Sequence, residues 1–402
     1  MQEIFLEIDD FYKNIFKNRE NYILLDIRDE DQFKYGHIPN AINYRADLLY
    51  KDMENEEAQH NSLDCNKLKL DREKKIIIYS NNNKDAIEIA KFLFELKFDV
   101  KVIKDGYVSW VLFEMEQELN NADKGVKDSV ELSIRKKFHK NIFSKFAKAI
   151  KTYELLKPND KVMVCISGGK DSMLMAKLFQ ELKKHDRFYF ELEFVVMDPG
   201  YNKANRLIIE KNAELLGIPI KIFDTPIFDA VFDIEKSPCY LCARMRRGYL
   251  YSYAQKLGCN KIALGHHYDD VIETILMGML YGAQIQTMMP KLHSTNFDGL
   301  ELIRPLYLIR EKDIINWRDY NNLYFLQCAC KFTEETSVLL NSRKNESASK
   351  RKEIKNLIKE IKKVNPYVEG NIFKSVENVN LSTIVAYKKD GIKHSFLESY
   401  DE

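Results

Sequence analysis

The chain has 402 residues, of which 45% are hydrophobic, enough to fill the cores of two or three domains. No apolar run approaches the roughly 18 residues of a membrane span, and the acidic N-terminal sequence MQEIFLEIDD is unlike a secretory signal, so we expect a cytoplasmic chain with no membrane partner. The overall net charge is +1, but residues 1–120 have a net charge of −8 and the remaining residues one of +9. This uneven distribution predicts that only the second part binds a polyanion. Seven cysteines in such a chain favour thiol or metal chemistry over disulfides.

Residues 1–120 have the pattern of a small α/β unit. Short buried strands are predicted at Ile23–Ile27, Lys75–Tyr79 and Asp99–Ile103. Helical periodicity from Ala86 to Phe94 joins the last two, as expected of a crossover between parallel strands.

Two motifs in this unit carry a resemblance. L-L-D-I-R-D-E-D-Q-F-K-Y-G-H-I-P-N-A-I-N, from Leu24 to Asn43, closely resembles the start of a rhodanese domain. D-G-Y-V-S-W, from Asp105 to Trp110, resembles the family's closing G-G-x-x-x-W with one glycine replaced. The resemblance implies a rhodanese-like fold for residues 1–120.

The same resemblance implies that this unit is inactive. A working rhodanese carries a cysteine just after its central strand, and Ser80 occupies that position here. A hydroxyl cannot carry a transferable sulfur, because only a thiolate forms a persulfide. Cys65 lies in a polar stretch predicted to be a loop, with no matching role. We therefore expect a unit kept for docking, dimerisation or shape.

Residues 121–150 are polar and then basic, and they are predicted to be a linker and a lead-in helix. Phe138, Ile142, Phe143 and Phe146 form an apolar stripe at helical spacing. We expect this stripe to pack on the unit that follows.

A strand predicted at Val162–Ile166 runs into a small-residue loop and a helix. Adjacent glycines let the backbone approach an anion, the first amides of the helix point at it, and hydroxyl and lysine groups add donors. The alternative is a glycine turn before an ordinary helix. The sequence S-G-G-K-D-S resembles the PP-loop of ATP pyrophosphatases, which implies binding of ATP by Ser167, Gly168, Gly169, Lys170, Asp171 and Ser172, with Asp171 also catalytic.

The second unit alternates strands and helices beyond this loop. Strands are predicted at Leu192–Met197, Ile218–Phe223 and Lys261–Leu264, with a helix at Asn205–Leu216. The alternation predicts an α/β fold with a doubly wound parallel sheet and a ligand at the carboxyl ends of its strands.

A second polar motif, G-H-H-Y-D-D at residues 265–270, follows the strand at Lys261–Leu264. Carboxylates there could hold Mg²⁺ against a pyrophosphate, and the cluster could orient a nucleotide. Alternatively, Asp269 or Asp270 merely caps the next helix, predicted from about Val271. The motif resembles the second signature of tRNA-modifying PP-loop enzymes, which implies that Gly265, His266 and Asp269 bind the nucleotide and that Asp270 is catalytic.

Two cysteine pairs leave several kinds of site open. Cys239 and Cys242 form a C-x-x-C, and Cys328 and Cys330 form a C-x-C far downstream. The first pair alone could be redox-active, all four could hold zinc, and three could hold a [4Fe–4S] cluster with one iron left open.

Several motifs together resemble the tRNA 2-thiocytidine synthetase (TtcA) family, from about Phe143 to Cys330. They are C-Y-L-C-A-R-M-R-R-G, A-L-G-H-H, M-M-P-K-L and I-R-P-L, in the family's order. The resemblance implies ATP-dependent conversion of cytidine 32 of tRNA to 2-thiocytidine, with tRNA and a sulfur donor such as a cysteine desulfurase as partners. A homodimer is kept as a candidate assembly.

In that family three cysteines hold a [4Fe–4S] cluster. The resemblance implies Cys239, Cys242 and Cys328 as ligands; Cys330 is the alternative third ligand, since this chain has C-x-C where the family has C-x-x-C. Arg246, expected to be catalytic, and its neighbours Arg244 and Arg247 suit phosphates of ATP or RNA. Cys165 and Cys259 are expected to be structural.

We assign residues 151–340 to the PP-loop domain and 341–402 to a basic helical tail. In the tail, residues 342–363 place Ile354, Leu357 and Ile361 at helical spacing among basic residues, which suits either an RNA backbone or a solvated helix. Alternatives for the whole chain are thiolation of another tRNA base, lysidine-type amine transfer, or a non-catalytic zinc-stabilised sulfur-relay or binding protein.

Overall fold

The computed structural model describes residues 4–50, 64–65, 68–71, 73–81, 83–120, 125–185, 188–232, 238–326 and 346–400. Within these ranges two α/β units follow each other along the chain. None of the helices in the described ranges combines the length and the apolar composition that crossing a bilayer requires.

The first unit is built on a five-stranded parallel sheet, in the spatial order β1-β7-β6-β2-β3. Its strands are β1 (Phe5–Leu6), β2 (Tyr22–Asp26), β3 (Ile42–Asn43), β6 (Lys75–Tyr79) and β7 (Val100–Ile103). Its helices are α1 (Ile8–Asp10), continued by a π-helical turn (Phe11–Ile15), α2 (Glu30–Tyr35), α3 (Asn83–Glu95) and α4 (Gly106–Asn120). The three predicted strands and the crossover helix are therefore present, because buried aliphatic runs and helical periodicity are strong local signals.

A small hairpin lies apart from this sheet. It pairs β4 (Asp64–Cys65) with β5 (Leu68–Lys69). The prediction of a loop at Cys65 was therefore wrong, since Cys65 pairs with Leu68 as part of an antiparallel ladder. The polar composition of this stretch hid a strand only two residues long.

The second unit has a six-stranded sheet in the order β10-β9-β8-β11-β13-β12, antiparallel only at its β12 edge. Its strands are β8 (Lys161–Ile166), β9 (Glu191–Asp198), β10 (Ile220–Asp224), β11 (Lys261–Ala263), β12 (Lys291–His293) and β13 (Glu301–Ile303). Its helices are α5 (Val126–Arg135), α6 (Ser144–Thr152), α7 (Lys170–Lys183), α8 (Lys203–Leu216), α9 (Ile227–Phe232), α10 (Pro238–Lys256), α11 (Tyr268–Gly282) and α12 (Glu311–Tyr320). The predicted α/β fold with a doubly wound parallel sheet is confirmed, and the carboxyl ends of its parallel strands meet at one edge.

The lead-in segment packs as predicted. Its phenylalanine stripe is buried in the core of the second unit, and Phe146 meets Phe179 of α7 edge to face, with ring centroids 5.3 Å apart. Lys177 of α7 is fully buried and is satisfied by Glu131 of α5, at 3.0 Å, and by the carbonyl of Leu216. Removing the Glu131 carboxylate would leave the buried ammonium group of Lys177 without its acidic partner, which is costly.

The C-terminal region adds α13 (Glu346–Val364), α14 (Val368–Ser375) and the hairpin of β14 (Ala386–Lys389) and β15 (Ile392–Ser395). Ile354 and Ile358 of α13 are buried against Val271 and Ile275 of α11. Leu357 and Ile361, which the spacing had grouped with Ile354, are 40% and 38% exposed. The tail helix is therefore partly buried, and it covers the helix that follows the second polar motif.

Candidate functional site

The phosphate-binding loop lies between β8 and α7, at the carboxyl edge of the second sheet. The hydroxyl of Ser172, in the first turn of α7, accepts a hydrogen bond from the backbone N–H of Ser167 at 3.1 Å and donates one to the carbonyl of Gly169 at 3.0 Å. These bonds fold the loop over the start of the helix, where free amides favour an anion.

Gly168 is required at its position for two reasons. Its φ of +83° lies in the left-handed region, which side chains rarely adopt. A Cβ at this residue would also lie 2.5 Å from the side chain of Ile209 on α8. The loop is thus packed tightly on its α8 side.

Lys170 is held between two carboxylates. Its Nζ lies 3.2 Å from Asp171 and 3.3 Å from Glu311 at the start of α12. Burial opposes ionisation of Glu311, but the charges of Lys170 and Lys355 outweigh it and lower the pKa of Glu311 to about 2. Phosphate oxygens entering the loop would compete with these carboxylates for the ammonium group.

Asp171 keeps one oxygen available. Its Oδ1 is buried and has no hydrogen-bond partner among the described residues, and the Nε2 of His267 lies 3.9 Å away. Within the described ranges, no three His, Cys, Asp or Glu side chains come together as a metal site. A Mg²⁺ here would therefore take Asp171 together with phosphate oxygens and water, as Mg²⁺ commonly does.

The second polar motif contacts the loop directly. A Cβ at Gly265 would lie 3.2 Å from the backbone nitrogen of Ser172, so the end of β11 lies against the first turn of α7. The two motifs predicted from separate parts of the sequence therefore lie side by side.

Asp270 caps α11 reciprocally with His267. Its carboxylate accepts from the His267 backbone N–H at 3.0 Å, and the His267 ring accepts from the Asp270 N–H at 3.3 Å. This arrangement turns the Nε2 of His267 towards Asp171. The capping role foreseen as an alternative for Asp270 is present, and it also orients a histidine in the site.

Asp269 is engaged with α12. It accepts hydrogen bonds from Arg310, at 2.9 Å, and from the backbone N–H of Glu311, at 2.6 Å. Arg310 also pairs with Glu369 of α14. Sequence reasoning missed Arg310 and Glu311; the available signal was their position just after I-R-P-L, at the start of a helix.

His266 is half-buried, and its Nδ1 has no hydrogen-bond partner among the described residues. Burial and the charge of Arg304 lower the pKa of His266 to about 4. The imidazole is therefore neutral at pH 7, with a ring nitrogen left for a ligand.

A further basic group lies along the same edge, beside β9. Asp198 ends this strand, and its carboxylate accepts from the backbone amides of Gly200 and Tyr201 at 2.8 and 2.7 Å. Arg246 of α10 lies 3.5 Å from the hydroxyl of Tyr201, and its buried Nε has no partner among the described residues. The predicted Arg246 thus has donors left for a phosphate.

The cysteine motif opens α10. Cys239 and Cys242 are three residues apart near the start of this helix. Cys242 is half-buried beside Met197 and Ile227. Cys328 and Cys330 lie outside the described residues.

The two remaining thiols of the second unit lie in the hydrophobic core. Burial raises the pKa of Cys165 to about 12 and that of Cys259 to about 11. Both are poor thiolates, which fits their predicted structural role.

The comparisons with known proteins agree with both units. A PP-loop domain family model matches residues 138–330, and a rhodanese-like domain model matches residues 7–112. The tRNA-cytidine(32) 2-sulfurtransferase of Photobacterium profundum is 35% identical over 265 residues, which are 64% of this chain and 81% of that protein. The chain belongs to the tRNA-cytidine(32) 2-sulfurtransferase family.

Another relative is matched over a shorter span. The enzyme of the same name from Neisseria meningitidis (serogroup C, serotype 2a) is 38% identical over 186 residues, so the aligned part spans 45% of this chain and 57% of that relative. Among solved structures, the U34-tRNA thiolase NcsA of Methanococcus maripaludis with its [4Fe–4S] cluster is 24% identical, with a TM-score of 0.46, over 59% of this chain and 79% of that one.

Ser80, which the sequence resemblance aligns with the rhodanese nucleophile, is buried. Ser80 is only 7% exposed. Its carbonyl accepts a hydrogen bond from the Tyr107 N–H at 3.0 Å, and a Cβ at Gly106 would lie 1.8 Å from the same oxygen. The closing motif of the rhodanese-like unit is thus packed directly on Ser80.

Proposed function

We propose that this chain is an ATP-dependent tRNA sulfurtransferase that converts cytidine 32 to 2-thiocytidine. The observation that supports it most is the meeting of two motifs at one sheet edge: Gly265 of the second motif touches Ser172 of the phosphate loop. Membership of the tRNA-cytidine(32) 2-sulfurtransferase family supports the choice of substrate.

The loop would bind ATP through its backbone amides and the ammonium group of Lys170. Glu311 and Asp171 hold this ammonium group in place, so binding exchanges carboxylate contacts for phosphate contacts. His266, neutral at pH 7 and with a ring nitrogen without a partner among the described residues, can orient the nucleotide by a hydrogen bond.

Asp171 would ligate the Mg²⁺ that accompanies the pyrophosphate, through its buried Oδ1. Asp270 acts one step further away, because it orients His267 towards Asp171. Arg246, near Tyr201, would offer donors to the charge that develops on the α-phosphate.

The reaction this site suits is adenylation followed by substitution. The C2 oxygen of the base attacks the α-phosphate of ATP, and pyrophosphate leaves. Sulfide then bonds to C2 as HS⁻ and loses its proton, and the original oxygen departs as part of AMP. Adenylation is needed because the base oxygen is otherwise a poor leaving group.

The cysteines would hold a cluster with one ligand position left open. Cys239 and Cys242 lie near the start of α10, on the same helix as Arg246, and Cys328 would be the third ligand. When bound, a [4Fe–4S] cluster on three thiolates supplies an iron with an open coordination position for sulfur. We further propose a cysteine desulfurase as the sulfur donor, a cytoplasmic location and a homodimer.

The deciding experiment is mass spectrometry of tRNA nucleosides from cells with and without the gene. Loss of 2-thiocytidine, restored by the intact gene, is the expected result. Loss of a different thiolated base, or of lysidine, would replace the substrate. If neither changes and ATP is not converted to AMP in the presence of tRNA, a zinc-stabilised relay or binding protein becomes the better description.

A further inference from the structure

An aromatic side chain of the rhodanese-like unit contacts the second unit close to the phosphate loop. Tyr35, the last residue of α2, lies under the guanidinium group of Arg318, whose Cζ is 4.1 Å from the ring centroid. The same ring meets Tyr324 edge to face, with centroids 6.1 Å apart. Arg318 and Tyr324 belong to the second unit, so Tyr35 joins the two.

Motif residues of the rhodanese-like unit support Tyr324 from the other side. Tyr107 of the closing motif meets Tyr324 edge to face at 5.4 Å. Arg28 lies 4.0 Å above the Tyr107 ring and donates a hydrogen bond to the carbonyl of Gly36. A Cβ at Gly36 would lie 2.6 Å from the Tyr107 hydroxyl. These residues, which identify the rhodanese-like fold, here pack against the neighbouring unit.

Tyr324 is followed two residues later by a direct contact with the phosphate loop. The carbonyl oxygen of Leu326 is 3.5 Å from the point where a Cβ of Gly169 would lie, and its Cδ1 is equally close to that of Gly168. Leu326 therefore packs against the loop. The aromatic contacts of Tyr35 and Tyr107 hold Tyr324, two residues before it, in place.

Lys170 lies on the same side of the loop. Its side chain is only 14% exposed, although it carries a charge. Burial raises the pKa of the Tyr35 phenol, Arg318 lowers it, and the charges of Lys170 and Asp171 also act on it. The phenol is thus within electrostatic reach of the lysine that we assign to the phosphates of ATP.

We propose that the rhodanese-like unit is a structural part of the ATP site, with Tyr35 as the positioning residue that, through Arg318 and Tyr324, keeps Leu326 packed against the phosphate loop. The identity of the ligand as ATP rests on the proposed function. This role gives the unit a structural function, although serine occupies its nucleophile position.

The opposite charges of the two units agree with this arrangement. Asp31 of α2 pairs with Lys352 of α13 at 3.0 Å, and Glu116 of α4 pairs with Lys211 of α8 at 3.6 Å. The Asp31–Lys352 pair is exposed on both sides and contributes little stability, whereas in the second pair Glu116 is exposed and Lys211 is mostly buried. They show that the acidic first unit faces the basic second one, so part of the charge division serves the contact between units.

The test compares three variants of the full-length protein by calorimetric titration with a non-hydrolysable ATP analogue and Mg²⁺, without tRNA. Tyr35→Ala removes the ring, Tyr35→Phe removes only the hydroxyl, and Tyr50→Ala is the control, because Tyr50 packs on the other side of the same unit and bonds to Glu88. We expect Tyr35→Ala to raise the Kd about fivefold to tenfold, Tyr35→Phe less than about twofold, and Tyr50→Ala not at all.

A wild-type Kd in folded Tyr35→Ala would overturn the proposal. If that variant does not fold, Tyr35→Leu keeps the apolar volume without the aromatic contacts, and an unchanged Kd there would overturn it equally. In a tRNA thiolation assay, Tyr35→Ala should raise the KM for ATP more than it lowers kcat, which a general loss of folded protein would not do.

Failure of this inference is distinguishable from failure of the proposed function. If the wild-type protein binds the analogue and Tyr35→Ala weakens that binding, the inference holds even if no tRNA base is thiolated. If 2-thiocytidine is made but Tyr35→Ala binds the ATP analogue with the wild-type Kd, only the inference fails.

Discussion

The guanidinium group of Arg351 lies 3.2 Å from the carboxylate of Glu273, joining the tail helix α13 to α11. Lys355 lies 3.8 Å from the same carboxylate and 2.8 Å from Glu311, which in turn holds Lys170. A row of alternating charges therefore runs from the tail to the phosphate loop. The tail is coupled to the site through this row as well as through apolar packing.

The buried Glu273 makes the stability of this region depend on pH. Burial raises the pKa of Glu273 to about 7, against the opposing effects of Lys355 and Arg351. Because this value lies above the 4.5 of an exposed glutamate, the unfolded chain releases the proton first, and stability falls as pH rises from about 4.5 to 7.

Glu273→Gln should remove this dependence. The unfolding free energy of the variant minus that of wild type should increase by about 1–3 kcal/mol as the pH rises from 5 to 8. Urea unfolding at both pH values measures it, and Glu360→Gln, at an exposed residue of α13, controls for the loss of one negative charge. A difference between variant and wild type that is the same at both pH values would contradict the prediction.

Gly168→Ala should disable the phosphate loop. The left-handed φ of +83° costs about 1 kcal/mol for alanine, and the new Cβ would collide with Ile209. We expect ATP-analogue binding to weaken at least about tenfold, from loop displacement. Gly248→Ala is the matched control, since no atom lies within 4 Å of its Cβ position and alanine favours the interior of α10. Normal binding by Gly168→Ala would show that the loop does not need this backbone shape.

Asp171→Ala and Ser172→Ala should each abolish tRNA thiolation while leaving the cluster absorbance unchanged. Asp171 supplies the buried Oδ1 for Mg²⁺, and Ser172 ties Ser167 to Gly169. Cys239 and Cys242 lie on a different helix, so the two functions should separate. Asp128→Ala, on the exposed face of α5, is the control. Thiolation at the wild-type rate by either site variant would refute the ATP-site assignment.

The sequence predicts those site residues that belong to short contiguous motifs. S-G-G-K-D-S and G-H-H-Y-D-D each follow a buried strand, and parallel strands bring their ends to one edge. Glu311 was not predictable in this way, because its contact with Lys170 joins positions 141 residues apart. The roles of Arg351 and Lys355 were hidden for the same reason: the helical pattern gave the helix, but not the acidic neighbours on α11 and α12 that it would meet.

Substitution of individual cysteines should show which of them bind iron. Anaerobically purified protein should be brown, with about four irons per chain, and Cys239→Ala, Cys242→Ala or Cys328→Ala should each remove the colour. Cys330→Ala should keep it; loss of iron in this variant and not in Cys328→Ala would reverse the choice of third ligand. Stoichiometric zinc without iron in wild-type protein would exclude the cluster.

The rhodanese-like unit should have no thiosulfate:cyanide sulfurtransferase activity in the full-length protein. Ser80 cannot form a persulfide, and it is buried under Gly106 and Tyr107. Asp85, in the first turn of the next helix, is also buried, with one oxygen unpartnered among the described residues, and burial raises its pKa. An acidic group there opposes the anionic persulfide that an active cradle stabilises.

Wild-type activity is the measurement that tests this. Transfer above the buffer background that survives Cys65→Ala would contradict the loss of chemistry at Ser80. Ser80→Cys adds a second measurement, and Ser80→Cys combined with Asp85→Asn a third. If Asp85 opposes the persulfide, the double variant should form more of it than Ser80→Cys alone, as detected by mass spectrometry of the intact protein; equal amounts in both would show that packing by Gly106 and Tyr107, not charge, closes the site.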